Sequence, residues 1–216
     1  MKKYCIAFVF LVAFSGLAKA QVSEYRIGIT VGPNISYVRT ATEGQNSFIE
    51  RNGSELKFLL GAFVDIPFKE NYYFHTGLNF AGRATNLTIT ENGFFGGNAT
   101  LAAYDHEYLQ IPALLKLYTN EILLDTKLFF NFGVIPEIRL NTKSNNIAAI
   151  TEFQHFDLSG NFGGGLERAI GVQTSLFASL NYNIGFINQV KEQSPAISEE
   201  FIVKNNMFSL ELGIKF

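Results

Sequence analysis

The chain has 216 residues, a net charge of −2, 47 % hydrophobic and 14 % aromatic residues, and no Trp. So apolar a composition excludes a disordered chain, and so weak a charge excludes an electrostatically driven nucleic-acid binder. The length suits one domain.

Residues 1–20 read as a secretory signal peptide. Lys2 and Lys3 give a positive start, Tyr4 to Phe14 form an apolar stretch too short to span a bilayer, and Ala18-Lys19-Ala20 supplies the small-x-small cleavage pattern. The cut is expected between Ala20 and Gln21. The only cysteine, Cys5, leaves with the leader. The mature chain, residues 21–216, then has no disulfide, thiol nucleophile or Cys-ligated metal. The leader also removes three of the 17 Lys and Arg and none of the 19 Asp and Glu, which makes the mature chain acidic.

No run of 18 apolar residues follows, so no transmembrane helix is expected. Period-2 alternation dominates instead and predicts eight strands: Tyr25–Tyr37, Leu56–Ile66, Tyr72–Phe80, Leu109–Leu117, Leu128–Ile138, Phe156–Glu167, Val172–Ile187 and Phe208–Phe216. Most are close to the roughly 9–11 residues that a tilted strand needs to cross hydrocarbon. The last is the clearest. Phe208, Leu210, Leu212, Ile214 and Phe216 share one face, and Ser209, Glu211, Gly213 and Lys215 share the other.

The same division holds in every strand. The apolar face carries no Asp, Glu, Lys or Arg. The opposite face carries Arg26, Lys57, Asp65, Lys116, Glu137, Asp157, Glu167, Glu211 and Lys215, with His75 among them. The bulky apolar side chains would overfill the interior of an eight-stranded barrel, whereas small and polar ones fit there. The fold expected is therefore all-β: an eight-stranded antiparallel up-and-down transmembrane β-barrel, apolar face outward. The ten charged or titratable residues just named should form a polar network in the lumen, because lone charges in such an interior are costly.

Connector lengths alternate. Lys69-Glu70-Asn71, Thr119–Asp125 and Arg168–Gly171 are short and read as periplasmic turns. Val38–Glu55, Ala81–Tyr108, Asn141–His155 and Asn188–Met207 are long and read as extracellular loops. Tyr25, Tyr37, Tyr72, Tyr73, Tyr104, Tyr108 and Tyr118 lie at or near strand ends, as an interfacial girdle requires. Pro112 and Pro136 cannot donate ladder hydrogen bonds, so a bulge or irregularity is expected at each. Within the second long loop, Leu87–Thr90, Asn92-Gly93 and Ala99–Ala103 suggest a hairpin rising above the membrane; the rival reading is an extra strand pair in a ten-stranded barrel.

Glu107-Tyr108-Leu109-Gln110-Ile111-Pro112-Ala113-Leu114-Leu115-Lys116 resembles the fourth-strand signature of the PorT-like outer-membrane β-barrel family of Bacteroidota. Gly28, Gly32 and Asn34, the run Asn161–Glu167, and the terminal aromatic are similar as well. The resemblance implies an eight-stranded outer-membrane barrel and little about activity. By analogy, Phe216 is a signal to the barrel-assembly machinery during biogenesis.

Candidate chemistry is sparse. His155, Asp157 and Ser159 share a face, but residues four apart on a strand are about 13 Å apart, too far for His155 to reach Ser159. His75 reads as an interior histidine, and His106 beside Asp105 has no metal-ligand spacing. Glu91-Asn92-Gly93 and Gly96-Gly97 are turn chemistry without a phosphate-loop Lys. No cofactor, metal or catalytic residue is expected. The function expected is a non-enzymatic integral outer-membrane barrel without an open pore, structural or interacting through its loops or turns. Its partners would be outer-membrane lipid and an envelope protein, not nucleic acid. Phe48, Ile49, Phe94, Phe95, Phe153, Ile197 and Phe201, apolar in polar loops, would contact a partner or lipopolysaccharide, or pack together. The alternatives are a lipid-modifying outer-membrane enzyme and a small-solute channel or carrier.

Overall fold

The computed structural model describes residues 25–42, 47–91, 99–144, 149–194 and 201–216. The expected leader and Cys5 lie outside the described residues, as do Asn92-Gly93, Phe94, Phe95, Gly96-Gly97 and Ile197. The alternating segments form strands β1 (Arg26–Thr42), β2 (Ser47–Arg51), β3 (Glu55–Lys69), β4 (Tyr72–Glu91), β5 (Ala99–Gln110) and β6 (Ala113–Leu123). They continue as β7 (Thr126–Ser144), β8 (Ile150–Phe153), β9 (Phe156–Ala169), β10 (Ser175–Gly185), β11 (Val190–Gln193) and β12 (Phe201–Lys215).

All pairings are antiparallel, and they close on themselves. β1 pairs with β3 and β12; the ring continues through β4, β5 with β6, β7, β9 and β10. This is a ring of eight staves. Two staves are interrupted. Beyond Asn52-Gly53-Ser54, β2 continues the stave begun by β3 and pairs with the far end of β4. At the interruption, Ser36 Oγ accepts from Ala84 N at 2.8 Å and so replaces a ladder bond. β8 and β11 form a separate two-stranded ribbon.

At one end the chain reverses tightly at Glu70-Asn71 and Leu124-Asp125, with Asn71 and Asp125 at φ of 63° and 58°. Short polar side chains tolerate this left-handed conformation. The staves run further toward the other end than the alternation of apolar and charged faces suggested. β4 has 20 residues and β7 has 19, about twice the hydrocarbon-crossing length. The segment Ala81–Tyr108 is indeed a raised hairpin, zipped from Asn79 opposite Gln110 to Thr90 opposite Ala99. It lengthens two existing staves, so the ten-stranded alternative is excluded.

The prolines interrupt the ladder without shifting it. β5 ends and β6 begins around Ile111-Pro112, yet Gln110 faces Glu137 and Ala113 faces Val134 in one continuous register. Ile111 N still donates to Pro136 O at 2.9 Å. Each proline costs one donor, and no bulge forms at either. A register shift falls instead between Glu107 and Tyr108, where β7 carries an extra residue.

The outward face is apolar over the turn-side part of the barrel. Ile29, Leu60, Phe80, Phe130, Phe162, Leu180 and Leu210 are all exposed. The inward face there is mostly polar or small, with Thr30, Asn34, Asp65, Asn79, Asn131, Ser179 and Asn181 buried, but it also holds the buried rings of Phe63, Phe129 and Phe177. Toward the loop end the polarity reverses. Val38, Ile49, Leu87, Ile89, Ala102, Tyr104, Ala149, Ile150, Phe153, Phe201 and Val203 turn inward and form one apolar core, with Val190 of β11 packed against it. Outward positions at this level include Arg39, Glu50 and Lys191, all exposed. Ile49, Phe153 and Phe201 thus pack together; the side chain of Phe48 lies outside the described set.

Candidate functional site

The interior is filled in layers. Nearest the turns, Lys215 Nζ bonds Glu167, and Tyr118 donates to the same carboxylate. Arg26 approaches Glu167 at 3.6 Å from the mouth. Just above, Asp65 gathers three cationic or protonatable neighbours: His75 Nδ1 at 2.6 Å, Lys116 Nζ at 3.1 Å and Lys215 Nζ at 3.6 Å. Asp65, Lys116 and Lys215 are all buried. Such charges persist in a low-dielectric interior only when paired.

Lys116 also sits among aromatic faces. Its Nζ lies 4.3 Å from the Phe129 ring centroid, 5.4 Å from that of Phe177 and 5.6 Å from that of Phe63. A desolvated ammonium is stabilised there by the ring quadrupoles. Each phenylalanine lies across a glycine on the neighbouring strand: Phe63 opposite Gly28, Phe129 opposite Gly165, Phe177 opposite Gly213. A Cβ at any of these glycines would collide with the ring. The lumen glycines therefore make room for inward aromatics in a narrow barrel.

An asparagine layer follows. Asn131 donates to Asn181 at 2.9 Å, and Asn161 to Asn183 at 2.6 Å. Above it, Glu137 accepts from Arg83 at 2.7 Å, Ser159 at 2.9 Å and Gln110 at 3.2 Å, with both members of the Arg83–Glu137 pair fully buried. The Arg83 and Arg139 guanidinium groups lie 5.2 and 5.5 Å from the Tyr108 ring centroid. Tyr108 OH accepts from Arg139 Nε at 3.1 Å and from Gln189 Nε2 at 3.0 Å; the same Gln189 nitrogen reaches Asp157 at 3.0 Å. Next, His106 places Nε2 3.2 Å from Thr85 and Nδ1 2.9 Å from Thr142. Burial first, then Arg139 and Arg83, push its pKa down to about 3, so the imidazole is neutral. The apolar core closes this end, and Tyr104 OH bonds Ile150 N within it at 2.8 Å.

The residues expected in one lumen network occupy several places. Arg26, Asp65, His75, Lys116, Glu167 and Lys215 converge at the turn end. Glu137 and Asp157 belong to the separate loop-side cluster. Lys57 lies at the loop-side rim, bonded to Asp105 at 2.6 Å and Glu55 at 3.1 Å. Glu211 accepts from Ser209 at 2.8 Å, apart from both clusters. Phe216 is exposed at the turn end and exchanges backbone hydrogen bonds with Ile27. Arg83, Arg139, His106, Tyr108, Gln110 and Gln189 were not anticipated in the loop-side cluster.

The tyrosines need correction as well. Tyr25 and Tyr72 are exposed at the turn end, but Tyr104 and Tyr108 are buried inside and Tyr118 binds the interior Glu167. At the loop-side interface the outward pair is Tyr37 and Tyr182, with hydroxyls 2.8 Å apart. His155, Asp157 and Ser159 do not act together: His155 is exposed, Asp157 binds Gln189, and Ser159 binds Glu137. Among the described residues no His, Cys, Asp or Glu cluster could hold a metal ion.

An apolar wall around a polar, filled interior is the arrangement of a barrel solvated by lipid. Residues 19–190 match the family described as outer membrane protein beta-barrel domain, and the chain belongs to that family. No curated protein matches the sequence. Among solved structures, OprG of Pseudomonas aeruginosa is similar in fold, with a TM-score of 0.50 and 11 % identity over 88 % of this chain and 95 % of that one. Neisserial surface protein A has a TM-score of 0.47 and 10 % identity over 87 % and 95 % of the two chains. Ail, the attachment invasion locus protein of Yersinia pestis, has a TM-score of 0.39 and 16 % identity over 90 % and 100 %. The protein is thus an outer-membrane β-barrel of the small, eight-stranded kind.

Proposed function

We propose that this is a closed, non-enzymatic barrel of the PorT-like kind, acting through the structured part that rises above the membrane at its loop end. The observation that carries this reading is the filled interior. A solute would have to break the Lys215–Glu167–Asp65 cluster, pass the phenylalanines, break Arg83–Glu137 and then cross the apolar core. Removing one partner from a buried ion pair costs on the order of 3–5 kcal/mol, so such a path has a high barrier. Against catalysis, Ser159 is bonded to Glu137 and has no histidine beside it. In small outer-membrane barrels the short turns face the periplasm and the longer loops face outward, which puts the apolar core and its ribbon outside the cell. The reading supports an envelope protein as the partner of that end.

The test is planar-bilayer conductance of the folded, detergent-purified protein. No stable current steps above the bare bilayer are expected. A reproducible single-channel conductance would replace this reading with the channel alternative. A lipid A mass spectrum that changes when the gene is deleted would replace it with the lipid-modifying one.

A further inference from the structure

On the outer wall where β12, β1 and β2 meet, the side chains change character in step with height. Ile35 faces Phe208 across the β1–β12 ladder, Tyr37 faces Asn206, and Arg39 faces Lys204. Apolar groups therefore give way to hydroxyl and amide groups, and those give way to cations, within four residues of each strand. Tyr37 and Tyr182 share a hydroxyl contact at 2.8 Å, and Asn206 Nδ2 donates to Tyr182 at 3.0 Å and lies 3.3 Å from Tyr37 OH. Phe208 stacks on Tyr182 with centroids 4.3 Å apart. Above this shelf the Arg51 guanidinium stands 5.1 Å from the Tyr37 ring centroid. Arg39 is fixed by one bond from Nη2 to Gly185 O at 2.8 Å and is otherwise exposed.

The cations here differ from others at the loop end. Lys57 is neutralised by Asp105 and Glu55, and Lys191 by Glu152. Among the described residues, Arg39, Arg51 and Lys204 have no carboxylate within ion-pair distance. Among the described residues Glu50 on β2 is the acidic side chain of the patch, and those residues together are net positive.

We infer that this patch binds the phosphorylated glycolipid of the outer leaflet, with Arg39, Arg51 and Lys204 on its phosphates and the Tyr37–Tyr182 shelf, braced by the buried Asn206, beneath its sugars. Three things commit the site to that occupant: its height at the upper edge of the apolar band, its charge, and the anionic glycolipid surface that surrounds an outer-membrane barrel there. Arginine suits the role, because its planar donors match phosphate oxygens in pairs. The inference rests on the outer-membrane placement and on the outward orientation of the loop end proposed above, and a conductance result leaves it untouched.

The test is native mass spectrometry of the folded full chain in micelles containing purified lipopolysaccharide. A cation near an anionic lipid surface contributes about 1 kcal/mol, so an Arg39→Gln/Arg51→Gln/Lys204→Gln variant should bind about a hundredfold more weakly than wild type. The double variant Arg51→Gln/Lys204→Gln keeps the Arg39–Gly185 bond, so its weaker binding cannot come from loss of that contact. Wild type should bind dephosphorylated lipopolysaccharide as weakly as the triple variant binds the intact form. Equal retention by wild type and the double variant would overturn the proposal, and so would equal retention of the dephosphorylated lipid.

Discussion

His106 illustrates what burial does to a single side chain above the membrane. Its ring stands between Thr85 and Thr142, with the Phe153 ring 4.7 Å away and two buried arginines nearby. Protonation would add a third positive charge to a site that has no carboxylate hydrogen-bonded to the imidazole. The folded-state pKa, about 3, lies below the ordinary 6.5, so protons favour the unfolded chain. The resulting stability is complete above about pH 6.5 and is lost as pH falls toward 3, by up to about 1.4 kcal/mol per pH unit. Urea unfolding in micelles across this range should show a steeper loss for wild type than for His106→Gln, since the carboxylates contribute alike to both. Parallel curves would mean that His106 does not set the slope. Neither His106 nor Arg83 was legible as an interior residue. Both fall in the Ala81–Tyr108 segment read as a loop, and His106 stands between Asp105 and Glu107, so alternation marks no face there. The extra residue in β7 also hides the Thr142 contact.

The strands themselves were legible because alternation is a local property. Every stave of the ring contains an anticipated core, and the last strand keeps its apolar and polar faces as read. The break at Ile111-Pro112 is the irregularity its proline led one to expect, but the break between β2 and β3 and the β8–β11 ribbon were not legible, because they depend on how one strand meets another. The glycines on the inward face were visible as a pattern, but their pairing with particular phenylalanines was not. That pairing makes an expectation at this scale. Gly28→Ala drives a Cβ into the Phe63 ring and should cost about 1–3 kcal/mol in micelle unfolding. Phe63→Ala removes the ring but leaves the Ile214 carbonyl oxygen 2.7 Å from that Cβ, so the two changes together should still cost something yet less than their sum, by about 0.5–3 kcal/mol. Simple additivity would show that the ring and the glycine are independent.

Across the whole molecule, two solvents meet one chain. Below the Tyr37–Tyr182 level the barrel is mostly polar within, apart from the three phenylalanines around Lys116, and oily without; above it the pattern is that of a water-soluble core, built from β1, β2, β4, β5, β8 and β12. The two parts should therefore respond separately. Phe153→Ala removes a ring that packs against Tyr104, His106 and Arg139. Hydrogen exchange should rise at the loop-end amides of β4, β5 and β8, while β9–β10 amides around Gly164 and Leu180 stay protected. Uniform loss of protection would show a single cooperative unit.

The apolar knot at the loop end also gives the protein a direction in time. Its members come from hairpins far apart in the chain, and in the orientation proposed above they meet on the far side of the bilayer from the turns. Once they meet, drawing any tip back would mean prising that knot open and dragging Arg39, Glu50 and Lys191 through hydrocarbon. Insertion is thereby made a one-way step, latched from the far side by the chain itself.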